Sequence, residues 1–301
     1  MERRIDMGIV NRAVHLIAKR PSVLLLTALL STVVCVFEYF FMTLFYGLTM
    51  FKTGSPFDDY VNIIQFVINT ISVPETAVKI ILALVIAVIA VSLILGLVFS
   101  GCFNILYNAV EGKEKKEGSE FVQGVKKYFL RMISLNLWTI CTFVIFIIYA
   151  LIAVIPAAIV VDNSINGTMN PLAGIFLSLV TVVVLFFSYT FFRQYIVFWY
   201  PSAMIHDKNH FKLAKKISDR NFWPLLSKFV AFDIILVLFD ILYIIANFTL
   251  ANTQVVSGTV NTILIVVNIV FKTIVFAVLI SFIFSSFKSC SDAYKHKNAV
   301  R

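Results

Sequence analysis

Charge is scarce in this sequence. Only 14% of its 301 residues are charged and 60% are hydrophobic, whereas an ordinary soluble domain carries roughly 25% charged residues. So little polar material cannot cover a water-exposed surface, which excludes a soluble globular domain and makes lipid the natural solvent. Cysteine is sparse as well. Cys35, Cys102, Cys141 and Cys290 lie far apart with no C-x-x-C pair. That spacing argues for neither a disulfide framework nor a metal site, and leaves small buried hydrophobes as the expected role.

Chemical motifs are also missing. The sequence has no G-x-x-x-x-G-K-[ST] phosphate loop, no G-x-S-x-G nucleophile elbow and no dinucleotide glycine fingerprint. The chain is therefore not expected to be an enzyme, to need a cofactor or to hydrolyse ATP alone. Any active transport would draw on a gradient or on a separate membrane or ATPase subunit. About twenty residues precede the first apolar block, and that block is too long for a signal h-region. It reads as a retained first span.

What the sequence has is apolar blocks. Six are long enough for a hydrocarbon core of about 30 Å, which takes ~20 helical residues. They fall near residues 22–50, 79–108, 132–161, 173–203, 225–252 and 259–287. Only helices or closed barrels satisfy the backbone in lipid, and blocks of this length without strict alternation are helices. The expected fold is an all-α, six-span bundle forming one membrane domain, with residues 1–21 an amphipathic segment and 288–301 a tail.

The formal net charge of +9 sits in short runs between the blocks. That pattern fits membrane lipids with anionic headgroups better than nucleic acid. Arg3, Arg4, Arg12, Lys19 and Arg20 precede the first span. Lys113, Lys115, Lys116, Lys126, Lys127 and Arg131 follow the second, and Lys208, Lys212, Lys215, Lys216, Arg220 and Lys228 follow the fourth. The tail adds Lys288, Lys295, Lys297 and Arg301. Lys52 and Lys79 alone lie on the other side, so 21 basic residues face 2. The bias places both termini in the cytosol of a cell membrane.

The connections carry their own pattern. Between residues 51 and 78, Phe57, Tyr60, Val61, Ile64, Val67, Ile68 and Ile71 recur at helical spacing and predict an outer amphipathic helix ended by Pro74. On the basic side three apolar stripes precede odd-numbered spans: Met7, Val10, Ala13, Val14 and Ile17; Phe121, Val122, Val125, Phe129 and Met132; Phe211, Ala214, Ile217 and Phe222. Each predicts a basic amphipathic helix at the inner headgroups. The order of basic helix, span, turn and span recurs at about 100 residues. It is either a threefold hairpin repeat or the common order of any helical hairpin entered from a basic interface.

The charges inside the spans are few and informative, because a charge at bilayer depth costs several kcal/mol unless paired or hydrated. They are Glu38, Arg193, Asp233, Asp240 and Lys272. Taking the turn between the last two spans near Val255, Asp240 lies 15 residues before it and Lys272 17 after it. At about 1.5 Å per residue the two reach similar depth, and an ion pair is expected. Asp233, Asp240 and Asn247 are spaced by seven on one face of span five, and Asn261, Asn268 and Lys272 share a face of span six. Glu38 joins the same cluster if span one packs there. The cluster reads either as a device that fixes helix register or as a polar site for a proton, ion or small solute. Arg193, near the basic loop, is expected to snorkel to the interface, beside the interfacial Lys212, Lys215, Lys216 and Arg220. His206 and His210, at i and i+4, weakly resemble a metal-binding pair, but Asp207 stands where a zincin has Glu, and no third ligand is near.

The run Phe198-Trp199-Tyr200-Pro201-Ser202-Ala203-Met204-Ile205-His206-Asp207-Lys208, the following Lys212-Leu213-Ala214-Lys215-Lys216-Ile217-Ser218, and Gly8-Ile9-Val10-Asn11-Arg12-Ala13 resemble a family. It is the group of six-span prokaryotic proteins that includes the membrane domain attached to some glycerophosphodiester phosphodiesterases. The likeness covers most of the chain and implies a membrane module. The phosphodiesterase catalytic domain has no counterpart in these residues, so no catalytic residue carries over. Two functions remain open: a transporter-like or permease-type module, and a non-transporting scaffold or accessory subunit that binds anionic lipid or a partner protein.

Overall fold

Lipid offers a backbone no hydrogen-bonding partner, so each apolar block has to satisfy its own N–H and C=O groups, and a helix does so within one segment. The computed structural model describes residues 7–50, 69, 72–113, 119–205, 209–252 and 258–299. Among them there are nine helices and no strand. They are α1 (Met7–Lys19), α2 (Ser22–Met50), α3 (Pro74–Val110), α4 (Glu120–Ile165), α5 (Pro171–Val197), α6 (Trp199–Ile205), α7 (His210–Arg220), α8 (Phe222–Asn252) and α9 (Gly258–Ala299). Six stretches are long and apolar enough to cross a membrane: Ser22–Tyr39, Pro74–Val110, Glu120–Ser164, Pro171–Ile205, Phe222–Asn247 and Thr262–Tyr294. The chain is an all-α polytopic bundle.

The helices run further than the apolar blocks. α3 starts at Pro74, whose missing N–H costs nothing in a first turn. α4 is one helix of 46 residues, so the second basic stripe is continuous with its span. By contrast, α1 breaks from α2 at Arg20 and Pro21, and α7 breaks from α8 at Asn221, just before Pro224. Only two of the three hairpins thus enter through a separate basic helix. α9 continues through most of the expected tail to Ala299. The predicted outer amphipathic helix lies outside the described residues, save Asn69.

The chain divides into two compact units. The first comprises Met1–Met42, Leu97–Met132 and Arg193–Arg301. α9 is its axis: α1 packs along it, and α6, α7 and α8 also lie against it. Ala13, Leu16, Phe103, Leu106, Phe198, Phe229, Phe282 and Phe287 are buried there. Phe282 meets Phe229 edge-on and Phe287 meets Phe198 likewise. α3 and α4 approach closely through glycine. A Cβ on Gly124 would stand 2.5 Å from Asn104 Cβ and closer still to the Ser100 carbonyl, and Asn104 Nδ2 donates to the Glu120 carbonyl at 2.8 Å.

The second unit comprises Thr43–Gly96 and Ile133–Phe192. Its α3 and α4 segments touch where a Cβ on Gly96 would lie 2.7 Å from Ile133 Cγ1. Phe146 packs on Tyr189 and Phe192 of α5. Leu82, Ile86, Ile145, Ile152, Leu179 and Val182 are each more than half exposed, a surface suited to acyl chains and not to water.

Candidate functional site: charges within the spans

Among the described residues of the first unit, Lys272 is the most buried charged side chain, at 2% exposure, and it faces two carboxylates. Its ammonium lies 2.8 Å from Asp240 Oδ1 and donates to Glu38 Oε1. The pair expected between α8 and α9 is formed, and Glu38 of α2 joins it. Asn268, one turn before Lys272 and itself buried, donates from Nδ2 to Glu38 Oε2 at 3.3 Å. Both Glu38 oxygens are therefore hydrogen-bonded, while Asp240 Oδ1 makes the ion contact alone and is buried without a hydrogen-bond partner. The Glu38 and Asp240 side chains remain 31% and 38% exposed, so the ammonium is sealed and the carboxylates are reachable.

The three helices bring these groups together for local reasons. On α2, Val23, Thr27, Ser31 and Cys35 are buried at spacings of four and lead along one face toward Glu38. The small polar members let α2 lie close to α9, where the Ser31 and Thr273 hydroxyls meet at 2.6 Å. On the other flank, Phe239 stacks on Phe271 with centroids 3.8 Å apart. That stack joins the immediate neighbours of Asp240 and Lys272 and holds α8 in register with α9. Glu38 lies 16 residues past the start of α2 at Ser22 and Asp240 18 past the start of α8 at Phe222, or about 24 and 27 Å along the helices. Both lie within span helices toward the far end, Glu38 one residue before the end of the Ser22–Tyr39 stretch and Asp240 seven before the end of Phe222–Asn247.

Arg193 and Asp233 do not behave as expected. Arg193 makes a bidentate pair with Asp233, with Nη2 at 2.7 Å from Oδ2, and its guanidinium lies 5.2 Å from the centre of the Phe229 ring. The two side chains are 15% and 18% exposed. Snorkelling is thus replaced by a partner, because α5 and α8 bring a planar fork and a carboxylate face to face. Asp233 accordingly belongs to a separate, self-neutral layer and not to the Lys272 cluster. Asn247 also stays out: its Nδ2 donates back to the Tyr243 carbonyl at 2.8 Å. The Asn261 side chain lies outside the described residues.

The basic helix α7 turns its apolar face inward. Ala214, Ile217 and Ser218 are buried, and Phe211 meets Trp199 of α6 edge-on. This face packs on protein, so it is not left to insert among headgroups. Lys212, Lys215, Lys216 and Arg220 are exposed, with Lys216 Nζ 4.9 Å from the centre of the Tyr294 ring. α1 does the same with Ala13 and Leu16, while Val14 is exposed. In α4 the buried seam is Glu120, Gly124, Tyr128 and Met132; of the predicted stripe only Met132 lies on it, while Phe121, Val125 and Phe129 are half-buried and Val122 is exposed. Gly124 places the helix contact there.

His206 lies outside the described residues. His210 opens α7 after Asn209, which takes a left-handed φ of 62°. Its Nδ1 is buried without a hydrogen-bond partner. Burial, helped by the Arg131 guanidinium, pushes its pKa below the usual 6.5. Among the described residues no group of three His, Cys, Asp or Glu is placed to hold a metal ion. All four cysteines are free, and only Cys35 is buried; Cys141 is exposed. The expected burial of Cys141 fails because the lipid-facing side of a span accepts a small thiol as readily as its core. Thr27, Ser31 and Thr273 carry no expectation from the sequence; their small size, and the four-residue spacing of Thr27 and Ser31 with Cys35, were the available signal. No protein-family model, curated protein or solved structure matches the chain.

Proposed function

We propose that the protein is a transporter-like membrane module whose working part is the Glu38–Lys272–Asp240 cluster. The observation that carries this reading is the charge arithmetic at depth. One sealed ammonium faces two carboxylates, each about a third exposed. A device that only fixes register needs one acid for one base, and a balanced pair is available next door in Arg193–Asp233. An extra, reachable carboxylate inside a span is costly and is kept where a cation or polar solute has to be met. The excess of 21 basic residues over 2 supports an N-in, C-in orientation in a cell membrane.

The test is uptake by reconstituted protein. Proteoliposomes are offered a mixture of small polar solutes under an imposed pH gradient, and the lumen is read by mass spectrometry. At least one solute should accumulate over empty liposomes, and Asp240→Asn should abolish that accumulation. Asp240→Asn leaves Lys272 paired with Glu38, so the variant should still fold. Equal lumenal contents with protein, with variant and without protein would sink the carrier reading.

A second reading rests on the exposed basic face of α7. Four cations, Lys212, Lys215, Lys216 and Arg220, stand on an 11-residue helix whose apolar face is already occupied. An accessory subunit would use that face for anionic lipid or for an acidic partner. Neutralising Lys212, Lys215 and Lys216 would then matter more than changing Asp240.

A further inference from the structure

We infer that the Glu38–Lys272–Asp240 cluster is a proton-binding site and that Asp240 is the group that takes the proton. The inference deepens the carrier reading and rests on it for what the proton does, but not for the binding itself.

The charges around the site are few and can be named by element. α2 supplies Glu38, with the Cys35 thiol one turn away; α8 supplies Asp240; α9 supplies Lys272 and the amide of Asn268. The next charges, Arg193 and Asp233, neutralise each other, and Asp233 lies seven residues, or about 10 Å, along α8. With both carboxylates ionised the cluster therefore carries one surplus negative charge that no described cation offsets. A single proton makes it neutral.

A second observation points the same way. Asn268 is 2% exposed, and its Oδ1 is buried with no donor, while its Nδ2 serves Glu38. An acceptor left unmet in such a site is unfavourable. The ammonium donates to Glu38, and Asp240 Oδ1, 2.8 Å from it, is likewise buried without a hydrogen bond. Protonating a carboxyl creates a new O–H donor within the cluster.

The choice of Asp240 follows from what already holds each acid. Glu38 accepts through both oxygens, from Lys272 and from Asn268. Asp240 has only an ion contact: its Oδ1 stands 2.8 Å from the ammonium yet is buried without a hydrogen-bond partner, and its side chain is the more exposed of the two. The step is the formation of an O–H bond at Asp240 Oδ2 with a proton from water, and release is its reverse. Lys272 keeps its proton and its pair with Glu38 throughout. A metal cation is disfavoured because the ammonium already occupies the space between the carboxylates.

Infrared difference spectroscopy on the full-length protein in nanodiscs tests this. The protonated-carboxyl C=O stretch is followed as pH is lowered across the range in which the protein stays folded, in sodium chloride and in choline chloride, with carboxyl-¹³C aspartate or glutamate incorporated. The expected result is one titrating band of about one carboxyl per chain that shifts with labelled aspartate, is unmoved by labelled glutamate and vanishes in Asp240→Asn. Absence of the band, a shift with glutamate, persistence in Asp240→Asn, or removal by sodium at constant pH would each overturn the assignment. If Asp240→Asn does not fold, the isotope labels on the unsubstituted protein decide alone. A band without solute uptake sinks only the carrier reading; uptake without the band sinks only the proton site.

Discussion

Lys272 is the residue whose loss should be felt most. Removing it leaves two acids inside a span with no base, and breaking a buried ion pair from one side typically costs about 3–5 kcal/mol. Lys272→Met should lower the thermal unfolding midpoint in detergent, and adding Glu38→Gln and Asp240→Asn should recover most of the loss. Arg193 and Asp233 should couple to each other but not to Lys272. In a double-mutant cycle, Arg193→Met and Asp233→Asn should show an interaction energy of order 1–3 kcal/mol, whereas Arg193→Met and Asp240→Asn should add. His210 gives a pH signature. Its pKa is lowered in the fold, so its stabilising share is complete above about 6.5 and is lost as pH falls below that value. His210→Gln should flatten the decline in stability between about pH 7 and 5. The meeting of Asp240 and Lys272 was legible in their similar distances from the turn, 15 and 17 residues. The fate of Arg193 was not, since snorkelling and pairing differ only in whether a carboxylate stands opposite, and that depends on how α5 packs on α8.

At the scale of elements, the helices were legible and their contact faces were not. Long apolar blocks set the six spans, but a block that is apolar all round gives no periodicity from which to read its buried side. Polar and small residues mark that side instead. Thr27, Ser31 and Cys35 do so on α2, and Ser100 and Asn104 do so on α3 opposite Gly124. The basic stripes of α1 and α7 were visible as amphipathic patterns, yet periodicity cannot distinguish a face that packs on protein from one that enters headgroups. Gly124→Val tests the α3–α4 contact. Its side chain would collide with the Ser100 carbonyl, and a cost of about 1–3 kcal/mol is expected from overpacking. Gly112→Ala makes a poor control because of its φ of 71°. Gly8→Ala, with open space around it, should leave the unfolding midpoint unchanged.

At the scale of the whole molecule, composition sets the solvent: many large apolar side chains stand exposed, and only acyl chains make such a surface stable. The first unit adds two charge layers of different kind, one balanced in Arg193–Asp233 and one with an acid to spare in Glu38–Lys272–Asp240. The central claim is that the second layer works and is more than a clamp. The measurement that tests it most directly is solute uptake per folded molecule by the Glu38→Gln, Lys272→Met, Asp240→Asn triple variant in proteoliposomes, beside its unfolding midpoint. The expected result is a midpoint close to that of the unsubstituted protein with uptake lost. A triple variant that is less stable but takes up solute at an unchanged rate per folded molecule would contradict it.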